Sequence, residues 1–424
     1  MRVKRRTMLQ GAMAGMATMS TSSALFAREA KQPLAGDIPI PPPITTAERL
    51  DRLDRARERM AKNGIGAILV EAGASLDYYT GVRWWRSERL TGAIIPVEGD
   101  PVIVTPFFEK PSVEESLAIP ARVLTWHEHV EPLSLVAEFL RHRGLEKEPV
   151  GIEESTRFFI VDKLREALPG ARIVSANPVV RAGRMIKTKP ELDLMQAASD
   201  ITLAAIAEVH DALKPGMTDG EVKALLSAAM VKRGGASPWA LVLFGPAAAL
   251  PHGTGRPQTL EKGQVVLIDT GCSVHGYQAD ISRTFVVGAA PSADQRRVFD
   301  QVARGQEIAR EACIPGNPAG SVDDAVRSAY ESWGYGPGYA LPGLSHRTGH
   351  GIGMEGHEPI NLVRGEETPL APGMCFSNEP GIYLPGRFGV RLEDCFTMTE
   401  EGPRWFSVPP KSIDDPIGSS ARLA

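Results

Sequence analysis

The stretch "VVLIDTGCSVHGYQADISRTFVV", Val265 to Val287, decides how this chain is read. Two apolar runs flank "VHGY", so the segment predicts two antiparallel strands joined by a tight turn. Asp269 and Asp280 stand about equally far from that turn, one on each strand. Across an antiparallel pair such residues have Cβ atoms ~5 Å apart, near enough to share a divalent cation. Without a cation the arrangement is costly, because each buried carboxylate raises the pKa of the other. Taken alone, Asp269 reads equally well as an ordinary strand-end aspartate; Asp280 opposite it favours metal.

Two further segments extend the pattern. In "FSNEPGIYLPGRFGVRLEDCF", Phe376 to Phe396, Glu379 and Glu393 flank a turn-containing stretch, each at the end of an apolar run. In "HRTGHGIGMEGHE", His346 to Glu358, three of the chain's nine histidines fall within a short segment. Gly349, Gly351, Gly353 and Gly356 argue against a helix there, so the segment reads as extended chain. His346 and His350 then share a face by parity, and His357 needs a bulge or turn to join them. Hard oxygen ligands with one imidazole suit a pair of manganese, iron, cobalt or zinc ions. Two such ions ~3.5–4 Å apart activate a water as nucleophile.

The order Asp269, Asp280, His350, Glu379, Glu393, in the settings "DTG", "ADISRTF", "GHGIG", "NEPGIY" and "VRLED", resembles the metallopeptidase family of prolidase and Xaa-Pro aminopeptidase. In the first half, "LDYYTGV" and "GAIIPVEGDPVIVT" resemble that family's creatinase-type N-terminal domain. The resemblance implies an α/β (α+β) chain, a pita-bread catalytic domain preceded by a smaller creatinase-like α/β domain. It further implies that Asp269 chelates one of two divalent ions, manganese first among the choices, that Asp280 and Glu393 bridge both, and that His350 and Glu379 complete the other. Glu379 would also relay the proton of the attacking water. His252 and His357 would hydrogen-bond the scissile carbonyl and the oxyanion, and His346 would line the pocket for the residue after the cleaved bond. Arg391 matches an arginine that recognises substrate or orients the carboxylates, with plain neutralisation of the acidic cluster as the simpler alternative. Tyr383 matches a tyrosine near the site, and packing explains it equally well. Members of the family commonly pair as homodimers, and "VRWWRSER", Val82 to Arg89, is a candidate lip for that contact or else a surface loop.

The first residues differ from the rest. Arg2, Lys4, Arg5 and Arg6 precede an uncharged, mildly apolar run from Met8 to Phe26, the pattern of a removable export signal over residues 1–27 that resembles the twin-arginine type. The expected location is therefore periplasmic or otherwise exported. Removal of its four cations leaves 43 basic against 51 acidic residues and takes the formal charge from −4 to −8. That balance excludes nucleic acid and anionic lipid as natural partners, and no second segment reads as a membrane span. Residues 28–45 form a proline-rich spacer, residues 46–180 the N-terminal domain and residues 181–424 the catalytic domain.

Several local readings complete the picture. "TTAERLDRLDRARERMAKNGI" predicts an amphipathic helix with Thr46 as N-cap and Gly64 as its stop. Pro190 suits the first turn of a long helix. Cys272, Cys313, Cys375 and Cys395 lack metal spacing and read as buried small residues, whereas His127, His129 and His275 read as surface residues. The expected activity is hydrolysis of the bond before proline in peptides or dipeptides. The alternatives on the same fold are an ectoine-type hydrolase, a dimethylsulfoniopropionate lyase, a creatinase, which lacks the metal set, and an inactive binding module, which is expected to have lost ligands.

Overall fold

The structure, a computed structural model, describes residues 38–423. The export-signal reading of residues 1–27 and the first part of the spacer lie outside the described residues. Residues 38–45 run without helix or strand into α1 (Thr46–Asn63). The cap is Thr45 rather than the expected Thr46. A capping box needs a glutamate three residues on; Glu48 answers Thr45, whereas Arg49 is what Thr46 would have met. Gly64 closes the helix in the left-handed region, as expected.

Six strands follow: β1 (Ala67–Glu71), β2 (Gly92–Pro96), β3 (Val102–Pro106), β4 (Arg122–Trp126), β5 (Val150–Ile152) and β6 (Ile173–Ser175), in the order β4-β3-β2-β1-β5-β6. The sheet is mixed, antiparallel at β1–β2 and β2–β3 and parallel elsewhere. Interleaved are α2 (Ala74–Thr80), α3 (Lys110–Ser116), α4 (Pro132–His142) and α5 (Phe158–Ala167). Because both faces of the sheet are covered, β1 is apolar almost throughout. Ile68 and Val70 join Leu53 and Met60 of α1 in one core, and Ala67 and Leu69 join Val136 and Leu140 of α4 in the other.

After α6 (Val180–Met185), α7 (Lys189–Ala212) opens with a capping box of Thr188 and Glu191 and with Pro190 in its first turn, and α8 (Asp219–Lys232) follows. The next sheet comprises β7 (Ala236–Phe244), β8 (Val265–Val274), β9 (Tyr277–Gln278) and β10 (Ile281–Val286), ordered β10-β8-β7 with β9 pairing β8. His275 and Gly276 both take positive φ, as a two-residue hairpin turn requires. The register corrects one expectation. Asp269 faces Ser282, while Asp280 falls just before β10, so the two aspartates are diagonal neighbours on one face rather than directly opposed.

Beyond α9 (Ala293–Ala312) and α10 (Gly320–Ser332) come β11 (Gly349–Gly351), β12 (Glu358–Leu362), β13 (Cys375–Asn378), β14 (Gly381–Leu384), β15 (Phe388–Arg391), β16 (Asp394–Thr399) and β17 (Gly402–Trp405). Their main sheet runs β12-β11-β13-β16-β17, and β14–β15 form a separate hairpin. Val298 and Phe299 of α9 and Val322 and Val326 of α10 pack with Phe376, Val390 and Phe396 into one core beneath these strands. All four cysteines are buried and unpaired. No helix among the described residues is long and apolar enough to cross a membrane.

A buried polar knot joins α1 to the later elements. Arg52 Nη2 donates to Tyr277 Oη at 2.8 Å and stands 3.2 Å from Glu191 Oε1, which accepts from Tyr277 Oη at 2.8 Å. Arg52 also lies over the Tyr78 ring, 4.0 Å from its centroid. Both charged side chains are about 2% exposed, so removing one leaves the other's charge uncompensated away from water. Glu191→Ala is expected to cost about 3–5 kcal/mol of unfolding free energy in chemical denaturation; a loss below about 1 kcal/mol would show that the knot contributes little.

Candidate metal centre

Five short segments meet at one place. The strand β8 carries Asp269, the entry to β10 carries Asp280, β11 carries His350, and the crossings from β13 to β14 and from β15 to β16 carry Glu379 and Glu393. Because Asn378 pairs with Asp394, the two glutamates leave the main sheet side by side. His350 Nε2 lies 3.3 Å from Glu379 Oε1, 3.8 Å from Asp280 Oδ2 and 3.9 Å from Glu393 Oε1. One ligand atom from each of Asp269, Asp280 and Glu393 falls within 4.8 Å of the others, and so does one from each of His350, Glu379 and Glu393. All five residues read from the sequence as ligands therefore converge. The offset register still brings the two aspartates together, because their side chains share a face.

The glycines around His350 are explained by crowding. β11 lies between β12 and β13; a Cβ on Gly349 would stand 2.1 Å from Ser377 O, and one on Gly351 would stand 2.5 Å from Glu358 O. The register shifts between His350 and Gly351, and a turn then returns the chain so that the His357 ring lies 4.0 Å from that of His350. A bulge or a turn was the expected requirement, and the chain uses both. His350 Nδ1–H donates to Gly351 O at 3.1 Å, which leaves the Nε2 lone pair facing the carboxylates, the tautomer a metal ligand needs.

The electrostatics expose an unbalanced cluster. Asp280 and Glu393 are 5% and 1% exposed, and burial followed by the neighbouring carboxylates drives both far above the usual carboxylate range. Glu379 is pushed up to about 7, chiefly by burial, with Arg391 opposing. Burial and the adjacent His357 hold His350 well below the usual imidazole range. Asp269 Oδ1, Asp280 Oδ1 and Glu393 Oε1 are buried without a hydrogen-bond partner among the described residues. Three orphaned carboxylate oxygens around an unprotonated imidazole nitrogen are a donor set that divalent cations satisfy.

The residues around the cluster divide by their partners. Arg391 commits four donors to the protein: Nη2 to Asp269 Oδ2 at 2.7 Å, Nε to Ser282 Oγ at 3.0 Å, and Nη1 to Tyr383 Oη at 3.0 Å and to Pro251 O at 3.2 Å. Tyr383 Oη in turn donates to His346 Nε2 at 2.7 Å, while His346 Nδ1–H donates to Arg347 O. Tyr383 is thus a hydrogen-bonding link and not packing alone. His252 is exposed in the loop anchored by the Arg391–Pro251 contact. Trp85 is 79% exposed and stacked on Trp84, which is partly packed into the N-terminal core. His127, His129 and His275 are exposed.

Sequence reasoning missed two participants. Ser282 bridges Arg391 Nε to Glu393 Oε2, donating to the latter at 2.9 Å, and its position directly opposite Asp269 emerges only with the strand register. Arg347, half-buried beside the cluster, donates to His357 Nδ1 at 3.3 Å and has no carboxylate partner among the described residues. It sits between His346 and Thr348 in the segment already singled out.

Residues 193–400 match the metallopeptidase family M24, and residues 52–186 match the creatinase/prolidase N-terminal domain. A probable dipeptidase PepE of Mycobacterium tuberculosis is 34% identical over 355 residues, which cover 83% of this chain and 92% of that protein. The chain belongs to metallopeptidase family M24. An Xaa-Pro dipeptidase of Pyrococcus furiosus is 30% identical to this M24 chain over 84% of its length and 97% of the relative's. Among solved structures, dipeptidase PepE from Mycobacterium ulcerans superposes with a TM-score of 0.79 at 33% identity, covering 88% and 98% of the two chains. The fold of this M24 chain is the mixed α/β architecture of those proteins.

The raised carboxyl pKa values set a pH dependence. Unfolded carboxyls ionise near 4–4.5, so the folded metal-free M24 chain binds protons more tightly than the unfolded one. The contribution of these carboxyls to stability is fullest below that range and falls as pH rises through about 7, where Glu379 ionises. A divalent ion displaces those protons, so Mn²⁺ affinity should rise across the same window with net proton release. Calorimetric titration in two buffers of different ionisation enthalpy measures the release, and a value of zero would contradict this electrostatic account.

Proposed function

We propose that this chain is a dinuclear metal-dependent hydrolase that cleaves the peptide bond before proline, acting on Xaa-Pro dipeptides and short peptides. The observation that carries the reading is the convergence of Asp269, Asp280, His350, Glu379 and Glu393 with three orphaned oxygens turned on one another. Relatives named Xaa-Pro dipeptidase at about 30% identity support it. In this reading Asp269 would hold one ion, His350 and Glu379 would hold the second, and Asp280 and Glu393 would serve both. Manganese is the proposed metal, since an oxygen-rich set with a single imidazole suits it. Bound divalent ions would polarise the scissile carbonyl and lower the pKa of a water.

The chain's own groups supply the rest. Glu379, one of the converging carboxylates, is suited to accept a proton from the attacking water and return it to the departing proline nitrogen. Proline's amide has no N–H, so recognition must come from shape and from the carbonyl side. Arg347 can only donate to His357 Nδ1, which puts the proton of the neutral imidazole on Nε2, ready for the oxyanion. His252 would donate to the same carbonyl. His346, held at both ring nitrogens, forms a fixed wall for the residue after the bond, with Tyr383 behind it. Arg391 orients Asp269 directly and Glu393 through Ser282. Arg347, without an acidic partner among the described residues, offers a cation to a dipeptide's terminal carboxylate.

The proposal also retains residues 46–180 and 181–424 as functional units, a homodimer, and twin-arginine export to the periplasm. Cell fractionation tests the last: activity confined to the cytosol would contradict it.

The primary test is a metal-titrated screen of Xaa-Pro dipeptides, longer Xaa-Pro peptides, ectoine and dimethylsulfoniopropionate. Mn²⁺-dependent hydrolysis of the proline substrates is expected, abolished in Asp280→Asn. Glu379→Gln should lower kcat by about 10²–10⁴-fold, and Arg347→Ala should raise KM for dipeptides more than for longer peptides. Turnover of the two small molecules alone would refute the peptidase reading.

A further inference from the structure

A cavity of about 210 Å³ lies beside the metal cluster and shares His357 with it. That is well below the ~300–1,000 Å³ of whole-ligand pockets and suits one side chain. Val180, Met185 and Pro359 give it an apolar flank, and Glu153, Glu154 and Glu355 give it carboxylates. Tyr383 and Arg391, on the side assigned to proline, do not line it.

The carboxylates around the cavity are unequally paired. Glu358 takes Lys187 at 3.0 Å and Arg184, Glu154 takes Arg181, and Glu355 takes Arg184 at 2.8 Å. The fourth, Glu153, has no hydrogen bond from a cation among the described residues: it is 8% exposed, its Oε1 accepts from Ser75 Oγ, and its nearest guanidinium nitrogen, Arg184 Nη1, is 3.9 Å away on a group already shared by Glu355 and Glu358. Its Oε2 has no hydrogen bond among the described residues. A carboxylate nine-tenths buried, half-satisfied and lining a cavity is stabilised by a cation that enters. A flexible aliphatic stem against Val180, Met185 and Pro359 with a positive tip at Glu153 describes a lysine or arginine side chain.

We propose that this cavity is a subsite for a basic side chain on the residue before the scissile bond, with Glu153 as its principal carboxylate and Glu355 as the outer one. The assignment rests on the Xaa-Pro peptidase reading and adds to it a substrate preference. The comparison that isolates the charge is Lys-Pro against norleucine-Pro, whose side chain has the same carbon stem without the ammonium, with Ala-Pro as reference.

For the metal-loaded protein, kcat/KM for Lys-Pro should exceed that for norleucine-Pro by about tenfold, the scale of one charge-assisted hydrogen bond. Glu153→Gln, which keeps a group able to bond Ser75, should bring the ratio close to one while leaving Ala-Pro within about twofold. Glu355→Gln, at a side chain 53% exposed and so without a folding penalty, should lower the ratio in the same direction. A wild-type ratio near one, a ratio unchanged in both variants, or equal losses on all three dipeptides would overturn the subsite while leaving the peptidase reading intact. Absence of hydrolysis of all three by protein with metal bound would overturn both.

Discussion

Mutual repulsion among buried carboxylates governs this molecule. Asp280, Glu379 and Glu393 are driven above the ordinary carboxylate range first by burial and then by neighbouring carboxylates, Asp269 among them, and three of the cluster's oxygens lack partners among the described residues. A chain that gathers such groups must restrain each one independently, or they would turn outward to water. The restraint comes from strand ends: every one of the five residues lies on a strand or within two residues of one, and none depends on a long loop.

The back of the cluster shows how that restraint is built. Asp394, next to Glu393, points the other way and binds Arg283 through 2.7 and 3.2 Å contacts, with both side chains fully buried. Gln306 of α9 donates to Asp394 at 2.9 Å and to Asn378 O, and Asn378 returns a bond to Gln306 O at 2.9 Å. Neighbours of Glu379, Glu393 and Ser282 are thus locked to one another and to a helix, through the alternation of side chains along strands. A second pair does the same for the histidine segment. Arg327 of α10, bound to Asp323 at 2.7 Å, donates to Leu344 O at 2.8 Å and to His346 O, and Asp323 accepts from Thr348 N–H. Removing a member of either pair would strand its partner's charge in the interior, so each pair fixes geometry more surely than it adds net stability.

Much of this was legible in the sequence because the donor residues are chemically conspicuous and sit beside glycines and turns. The paired carboxylates and the hairpin at His275–Gly276 followed from residue type and turn chemistry, the need for a bulge or turn before His357 from parity, and His350 as the imidazole ligand from the family resemblance. The failures were of register and of context. Thr45 displaced Thr46 as cap by one position, and the two aspartates proved diagonal, because counting residues from a turn does not reveal which pair the ladder sets opposite. Ser282, Arg347, Asp323 and Arg327 were invisible because an ordinary serine, arginine or aspartate carries no signal until folding shows what it faces. Glu153 is the extreme case, since its importance lies in the hydrogen bond that no cation among the described residues gives it.

The central claim is that the five converging side chains enclose two cations. Crystals of the Mn²⁺-loaded protein, measured near the manganese absorption edge, test it most directly. The account predicts two anomalous peaks ~3.5–4 Å apart within the cluster, bounded by Asp269, Asp280, His350, Glu379 and Glu393. A single peak elsewhere, or none with Asp280 and Glu393 still facing each other unpartnered, would contradict it.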